Sequence, residues 1–434
     1  MVNEADIVIV GGGLNGAALA CALRHGPHSV VLLEPKPPGT PDESWDPRIY
    51  AYSPGNVNWI KSLGGWGEPV RAQAVYRMRI HGDSGGLLDF AALDAGLSEL
   101  AWIAENGRLQ SALWRAMGDT PNLRVVTTPA EAITWGGLSG NISRHVLRLA
   151  DGSTLSTRLL VAADGANSWV RQQAGIGFVL EDYRHVGVVA NFEIEKPHRG
   201  TAWQWFRKDG VLAYLPLPGK RISMVWSTPP EHAAELQALA PDELARRVAE
   251  AGRHSLGELR CITPAAGFPL KRRLADEWVR PGLVLLGDTA HTVHPLAGQG
   301  VNLGFRDSRL LAEVLRCGGD PGEIGRLTAY AARRREDVVS MQSVTGGLRK
   351  LFGREILCTP GSGKASEPPP EYPRGGGRIR NAAEAATATL GAKSFLGRPD
   401  ERLESLIRTL RNQGMNFTDH FPPLSQALMH HAVL

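Results

Sequence analysis

The chain has 434 residues, 43% hydrophobic and 21% charged, the balance of an ordinary soluble globular protein with material for more than one core. A net charge of +4 is too small at this length to argue for nucleic acid, although a local basic patch beside anionic lipid stays open. Four scattered cysteines (Cys21, Cys261, Cys317, Cys358) have neither CxxC nor metal-ligand spacing, so reduced thiols, no metal and a cytoplasmic setting are expected.

The opening carries the strongest signal. Asp6 to Val10 is a short β-branched run. It feeds Gly11-Gly12-Gly13-Leu14-Asn15-Gly16, and then a helix-forming run from Ala17. Gly11, Gly13 and Gly16 fill a dinucleotide fingerprint: one for the tight turn, one for close approach to a pyrophosphate, one for packing helix on strand. A second apolar run, Val30 to Leu33, ends on Glu34, placed to take adenosine ribose hydroxyls. No basic-then-apolar leader precedes the first strand, so no secretory signal is expected. No run approaches the roughly 20 apolar residues of a membrane span, so membrane contact would be peripheral.

Pro35 to Pro41 must be loop. It leads to Asp46-Pro47-Arg48 and a helix-like run from Asn56 to Leu63, and Glu105-Asn106 opens another helix through Met117. Leu123 to Thr127 reads as a strand, and His145 to Ala163 as a hairpin turning at Asp151-Gly152. Alternating runs at 188–194, 201–206, 211–217 and 222–226 predict an antiparallel sheet. Pro241 starts a helix with acids in its first turn. Leu283 to Leu286 is a buried strand, and 301–315 and 324–351 are helices, the latter with 333–337 on its solvated side. Residues 354–402 are poor in apolar side chains and rich in Pro, Gly and Ala. They read as a flexible insert with a short helix at 382–390, before an apolar helical end at 403–434.

Two later pieces join the fingerprint. Asp164-Gly165 ends a strand before a helix capped by Asn167 or Ser168. Gly287-Asp288-Thr289-Ala290-His291 ends another, with Pro295 and Gly298-Gln299-Gly300-Val301-Asn302 beyond it. There a carboxylate at a strand's carboxyl end can hold a polyol hydroxyl, and a glycine-flanked helix start can meet an electron-rich ring edge. In order and spacing these pieces resemble the GxGxxG, DG and GD motifs of the single-component flavoprotein hydroxylases typified by para-hydroxybenzoate hydroxylase. The closer resemblance is to the ubiquinone-biosynthesis branch, through Asp46-Pro47-Arg48, Glu105-Asn106, His198 with Ala202 and Phe206, Leu215-Pro216-Leu217 and Leu410 to Asn416. It covers nearly everything outside 354–402.

The resemblance implies an α/β fold with an α+β part: a Rossmann-like FAD-binding domain (1–75, 100–180, 275–353) interleaved with an antiparallel-sheet substrate domain (76–99, 181–274), and C-terminal helices. It implies FAD held by Gly11, Gly13, Gly16, Glu34, Arg48, Asn106, Asp164, Asp288, Gly300, Val301 and Asn302, with NAD(P)H visiting as co-substrate and oxygen activated as a flavin C4a-hydroperoxide. The implied activity is hydroxylation of a polyprenyl-phenol or quinol in ubiquinone synthesis. The implied partners are a lipophilic aromatic substrate and either the inner membrane face or a biosynthetic complex; the amphipathic end with Met415, Phe417, Phe421 and Leu424 is a candidate docking surface, with packing on the nucleotide domain as the alternative. His291 and Pro295 are the weak catalytic candidates. His291 reads rather as a packed or backbone-bonded residue beside the cofactor, and His294 departs from the family pattern. Trp203-Gln204-Trp205 resembles the start of a halogenase tryptophan motif but lacks its Ile-Pro continuation, leaving substrate wall or core. Two other functions stay open: hydroxylation of a small soluble aromatic, and a non-catalytic FAD-bound subunit.

Overall fold

The computed structural model describes residues 2–67, 70–136, 144–293, 299–352 and 379–381. Its first sheet grows from Val2–Val10, whose Ile7, Val8 and Ile9 are fully buried. Ile7 and Ile9 enter a core shared with Leu14–Leu23, Asn106–Met117 and Gln299–Arg316, while Val8 and Val10 enter a second core on the opposite face. A strand covered on both faces has no use for an alternating polar position, which is why this stretch reads as a continuous apolar run. The eight-stranded sheet runs, in order, through 279–280, 283–285, 154–162, 2–10, 30–33 and 123–126, with the hairpin arm His145–Leu149 and then Ala130–Thr134 attached to 154–162.

The register decides where chemistry can sit. Val10 pairs in parallel with Leu33 and with Ala162, and Ala162 pairs in parallel with Leu285. Four strands therefore end level. The residues that follow them, Gly11, Glu34, Asp164 and Asp288, emerge along one edge, the place where open parallel sheets bind ligands.

The second sheet has ten strands, in the order 291–292, 266–275, 178–194, 221–228, 210–217, 201–207, 77–81 and 87–91, with two short strands on 178–194. Alternation sorts its side chains. Phe192, Trp203, Trp205, Tyr214, Met224 and Trp226 point into one core beneath helices Pro230–Ala238 and Pro241–Ala251. Both tryptophans of 203–205 are thus core, not substrate wall. On the other face, Ala202 and Leu217 pack against Ile49, Val75 and Ile103 of a three-stranded sheet (Ile49–Tyr52, Ala72–Val75, Ala101–Glu105). Further along that face Val189, Ala213 and Val225, adjacent in register, stay half-buried. At the opposite edge Arg273 and Leu274 pair with Thr292 and His291, tying the sheet to the segment after Asp288.

Several expectations change. The strands at 49–52, 72–75, 77–81, 87–91 and 101–105 carry mixed burial over four or five residues each, too short for a legible period. Phe178–Ile194 is one strand that crosses the boundary placed at 180/181. Inside the expected flexible insert, Ile379–Asn381 forms a strand parallel to Phe178–Leu180. The helices expected at 382–390 and 403–434 lie outside the described residues. Arg334, assigned to a solvated face, is buried, because two carboxylates from the helix pair 299–316 and 324–352 enclose it.

Candidate active site

The three glycines of the opening turn do different work. Gly11 has φ +106°, and a Cβ there would overlap the Ala163 carbonyl; a Cβ on Gly16 would overlap the Gly11 carbonyl. Gly13 has an ordinary φ of −65°, and a Cβ there would meet nothing within 4 Å. Its Cβ side is open space at the start of the helix. The helix it precedes has no side-chain cap and no acid in its first turn, which leaves its N–H groups and dipole to an anion. The Gly12 carbonyl accepts from Gln110 Nε2 and Trp114 Nε1, both at 2.8 Å, and the Gly12 N–H donates to Glu34 Oε2 at 2.7 Å. Glu34 Oε1 takes the Lys36 N–H at 2.9 Å, so the carboxylate is fixed at the strand end.

Arg48 and Asn106 are brought together, the Asn106 N–H donating to the Arg48 carbonyl at 2.9 Å. The Arg48 guanidinium is half exposed and bonds Asp46 at 3.2 Å. The loop carrying them is held by Glu105, which is 1% exposed and accepts from Arg71 Nε (2.7 Å), Arg71 Nη2 (2.8 Å) and the Asp46 N–H (2.9 Å). Three donors make this buried carboxylate tolerable.

The DG and GD segments are linked directly. Asp164 accepts the Val170 N–H at 3.0 Å, and the Gly165 N–H donates to Thr289 Oγ1 at 3.0 Å. Buried Arg171 donates to the Thr289 carbonyl (2.8 Å) and the Ala166 carbonyl (2.9 Å), its guanidinium 4.7 Å from the Phe178 ring centroid. Burial pulls that guanidinium below its ordinary pKa, opposed by Asp164. Ser168, not Asn167, caps the following helix.

Asp288 is exposed in the turn; desolvation by the surrounding protein pushes its carboxyl above the usual range, with His291 and Arg273 drawing it back. Gly300 and Val301 lie half-buried in the first turn of their helix. The Asn302 side chain is used internally. Its Oδ1 accepts from the Ser53 N–H and Asn56 Nδ2, and its Nδ2 donates to the Ala51 carbonyl, all at 2.9 Å. Its backbone carbonyl also accepts from Asn56 Nδ2, at 3.2 Å. His291 is 1% exposed and donates Nε2–H to Asp307 Oδ2 at 2.7 Å, a carboxylate partner and not the backbone one expected. His294 and Pro295 lie outside the described residues. Gln110, Trp114 and Asp307 carry no local signal in the sequence; Arg171 and Thr289 do, lying beside the DG and GD motifs, while Arg334 falls in the run read as solvated.

These residues fit FAD. An uncapped helix start beside an open glycine suits a pyrophosphate, Glu34 a ribose, and an accessible acid at a strand end a polyol. A family model described as an FAD binding domain matches residues 139–344. The 3-demethoxyubiquinol 3-hydroxylase of Escherichia coli K12 is 36% identical over 354 residues, 79% of this chain and 89% of that one. Ubiquinone hydroxylase UbiL of Rhodospirillum rubrum is 36% identical over 366 residues, 81% and 82% of the two chains. Among solved structures, Pseudomonas aeruginosa PqsL in complex with 2-aminobenzoylacetate superposes with TM-score 0.69 at 22% identity, over 81% of this chain and 97% of PqsL, which establishes likeness of fold. On these grounds the chain belongs to the ubiquinone-biosynthesis hydroxylase family of FAD-dependent monooxygenases.

Proposed function

We propose that this protein hydroxylates the aromatic ring of a polyprenyl-phenol or polyprenyl-quinol intermediate of ubiquinone biosynthesis, consuming NAD(P)H and O2. One observation carries the reading: a glycine turn open to a dinucleotide shares a molecule with an uncharged, half-buried sheet face at Val189, Ala213 and Val225. That face suits a lipophilic ring and tail, and its lack of charge limits water beside the reacting carbon.

FAD, when bound, supplies the oxygen-activating redox chemistry that no side chain can. The chain's own task is placement. Gly11, Gly13 and Gly16 with the helix start would take the pyrophosphate, Glu34 the adenosine ribose, and Asp288 the ribityl. Arg48 and Asn106 would lie along the pyrophosphate and ribityl, and Gly300, Val301 and the Asn302 backbone would meet the pyrimidine edge. Asp164 would sit near the dinucleotide or a docked nicotinamide. We assign 1–75, 100–180 and 275–353 to the FAD unit and 76–99 and 181–274 to the substrate unit, with strand 178–194 spanning the boundary between them. No helix among the described residues is long and apolar enough to cross a membrane. We place the enzyme at the cytoplasmic face of the inner membrane, touching it peripherally or within a biosynthetic complex. The test is NAD(P)H oxidation by the FAD-loaded protein with a prenylated phenol, read with mass spectrometry of the product. Stimulation with a product heavier by one oxygen supports the reading. Equal turnover of an unprenylated phenol would move the substrate to a small aromatic, and no stimulation by either would leave a non-catalytic subunit.

A further inference from the structure

Outside the residues assigned to FAD, one buried polar cluster is centred on Asp307. Its side chain has no exposure, yet it accepts three donors: Gly287 N–H at 3.1 Å, His291 Nε2–H at 2.7 Å and Arg334 Nε–H at 2.6 Å. Gly287 immediately precedes Asp288, and His291 follows it by three positions. Both ends of the turn presenting Asp288 are thus tied to one carboxylate from the neighbouring helix 299–316. The middle of the turn is tied elsewhere, through Thr289 to Gly165 and Arg171. Arg334 supplies the counter-charge and also donates to Asp337 at 2.6 Å, anchoring the arrangement on helix 324–352. Burial alone would keep the Asp307 carboxyl protonated, but His291 and Arg334 outweigh it and hold it below the usual carboxylate range.

We infer that Asp307 is a positioning residue for the cofactor: its buried carboxylate, neutralised by Arg334, sets the turn 287–291 so that Asp288 faces the cleft at a fixed place. This rests on the FAD reading above. It predicts a role that a packing brace lacks, because replacing a buried ion pair with apolar side chains is often neutral for stability, whereas the Gly287 N–H and His291 Nε2–H have no other acceptor among the described residues.

The test uses the full-length protein as Asp307→Asn, Arg334→Lys and the double variant Asp307→Leu/Arg334→Met, each stripped of flavin and titrated with FAD. Three quantities are read: the FAD Kd, the shape of the bound visible bands, and the Tm of the apoprotein. Asp307→Asn and the double variant should raise Kd at least tenfold and blur the band structure. Arg334→Lys, which keeps the charge, should recover most of the affinity. The double variant removes the ion pair as a unit but strands the Gly287 and His291 donors, so its apoprotein should melt several degrees below wild type yet stay folded, which keeps the test decisive if Asp307→Asn folds poorly. Wild-type Kd and spectrum in the double variant would overturn the inference and leave the FAD reading intact. A wild-type protein that takes up no FAD would overturn both.

Discussion

Gly13→Val separates the cofactor reading from a merely structural glycine turn. A Cβ at Gly13 meets no protein atom within 4 Å, and φ −65°, ψ −175° is comfortable for valine. The substitution removes a tolerable N-cap, at a cost of up to about 1 kcal/mol. It also removes glycine's excess freedom in the unfolded chain, which returns about 0.4–1 kcal/mol. The apoprotein should therefore melt within a few degrees of wild type. The valine side chain, however, fills the space beside the helix start where a pyrophosphate would lie. Losing two charge-assisted N–H bonds of about 1.5–3 kcal/mol each amounts to about 3–6 kcal/mol, or roughly 10²- to 10⁴-fold in Kd. Gly16→Ala is the contrasting control, since its Cβ would strike the Gly11 carbonyl and force the helix off the strand. Overpacking of that kind costs about 1–3 kcal/mol and should lower the apoprotein Tm directly. Flavin fluorescence titration and calorimetry of both apoproteins read the two effects apart. A Gly13→Val protein that purifies yellow with wild-type affinity, or that melts as low as Gly16→Ala, would refute the reasoning.

Asp288→Ala should raise the FAD Kd by about 10- to 100-fold, the worth of one hydrogen bond to a charged group, while leaving the apoprotein Tm unchanged, because the side chain is open to water. Val225→Asp should leave FAD binding intact and raise KM for a prenylated phenol at least tenfold, since it puts a charge beside the uncharged patch of Val189 and Ala213; unchanged KM would remove that patch from the substrate path. Arg171→Met should lower the apoprotein Tm by several degrees, because the Thr289 and Ala166 carbonyls each lose a charged donor. The lowered pKa of Asp307 sets an acid limit. Its contribution to stability is fully present above the ordinary carboxylate range near about 4 and is lost as pH falls through the lowered folded value. Apoprotein Tm measured from pH 6 downward should fall less steeply below about pH 4 in Asp307→Leu/Arg334→Met than in wild type.

Much of the architecture could be read from local pattern. The uninterrupted run at 7–10, the glycines after it and the acid at Glu34 announce a strand, a turn and a second strand, because a strand buried on both faces and a turn approaching a phosphate each tolerate few residue types. The alternating runs between 188 and 226 likewise fixed the antiparallel sheet, with one face in the core and the other facing away. The sequence also placed Asp164 and Asp288 at strand ends, but the parallel register of 2–10, 30–33, 154–162 and 283–285 is what makes those ends level and brings three separate motifs to one edge of the sheet. Tertiary structure alone decided the charges. In a helix, Arg334 and Asp307 carry no mark distinguishing a solvated side chain from a buried one; the difference arises only when two helices and the turn at 287–291 close around them and each charge finds its partner before losing its water. The same holds for Glu105 and for the Asn302 side chain, whose partners Arg71 and Ser53 lie 34 and 249 positions away in sequence, beyond what any local pattern can encode.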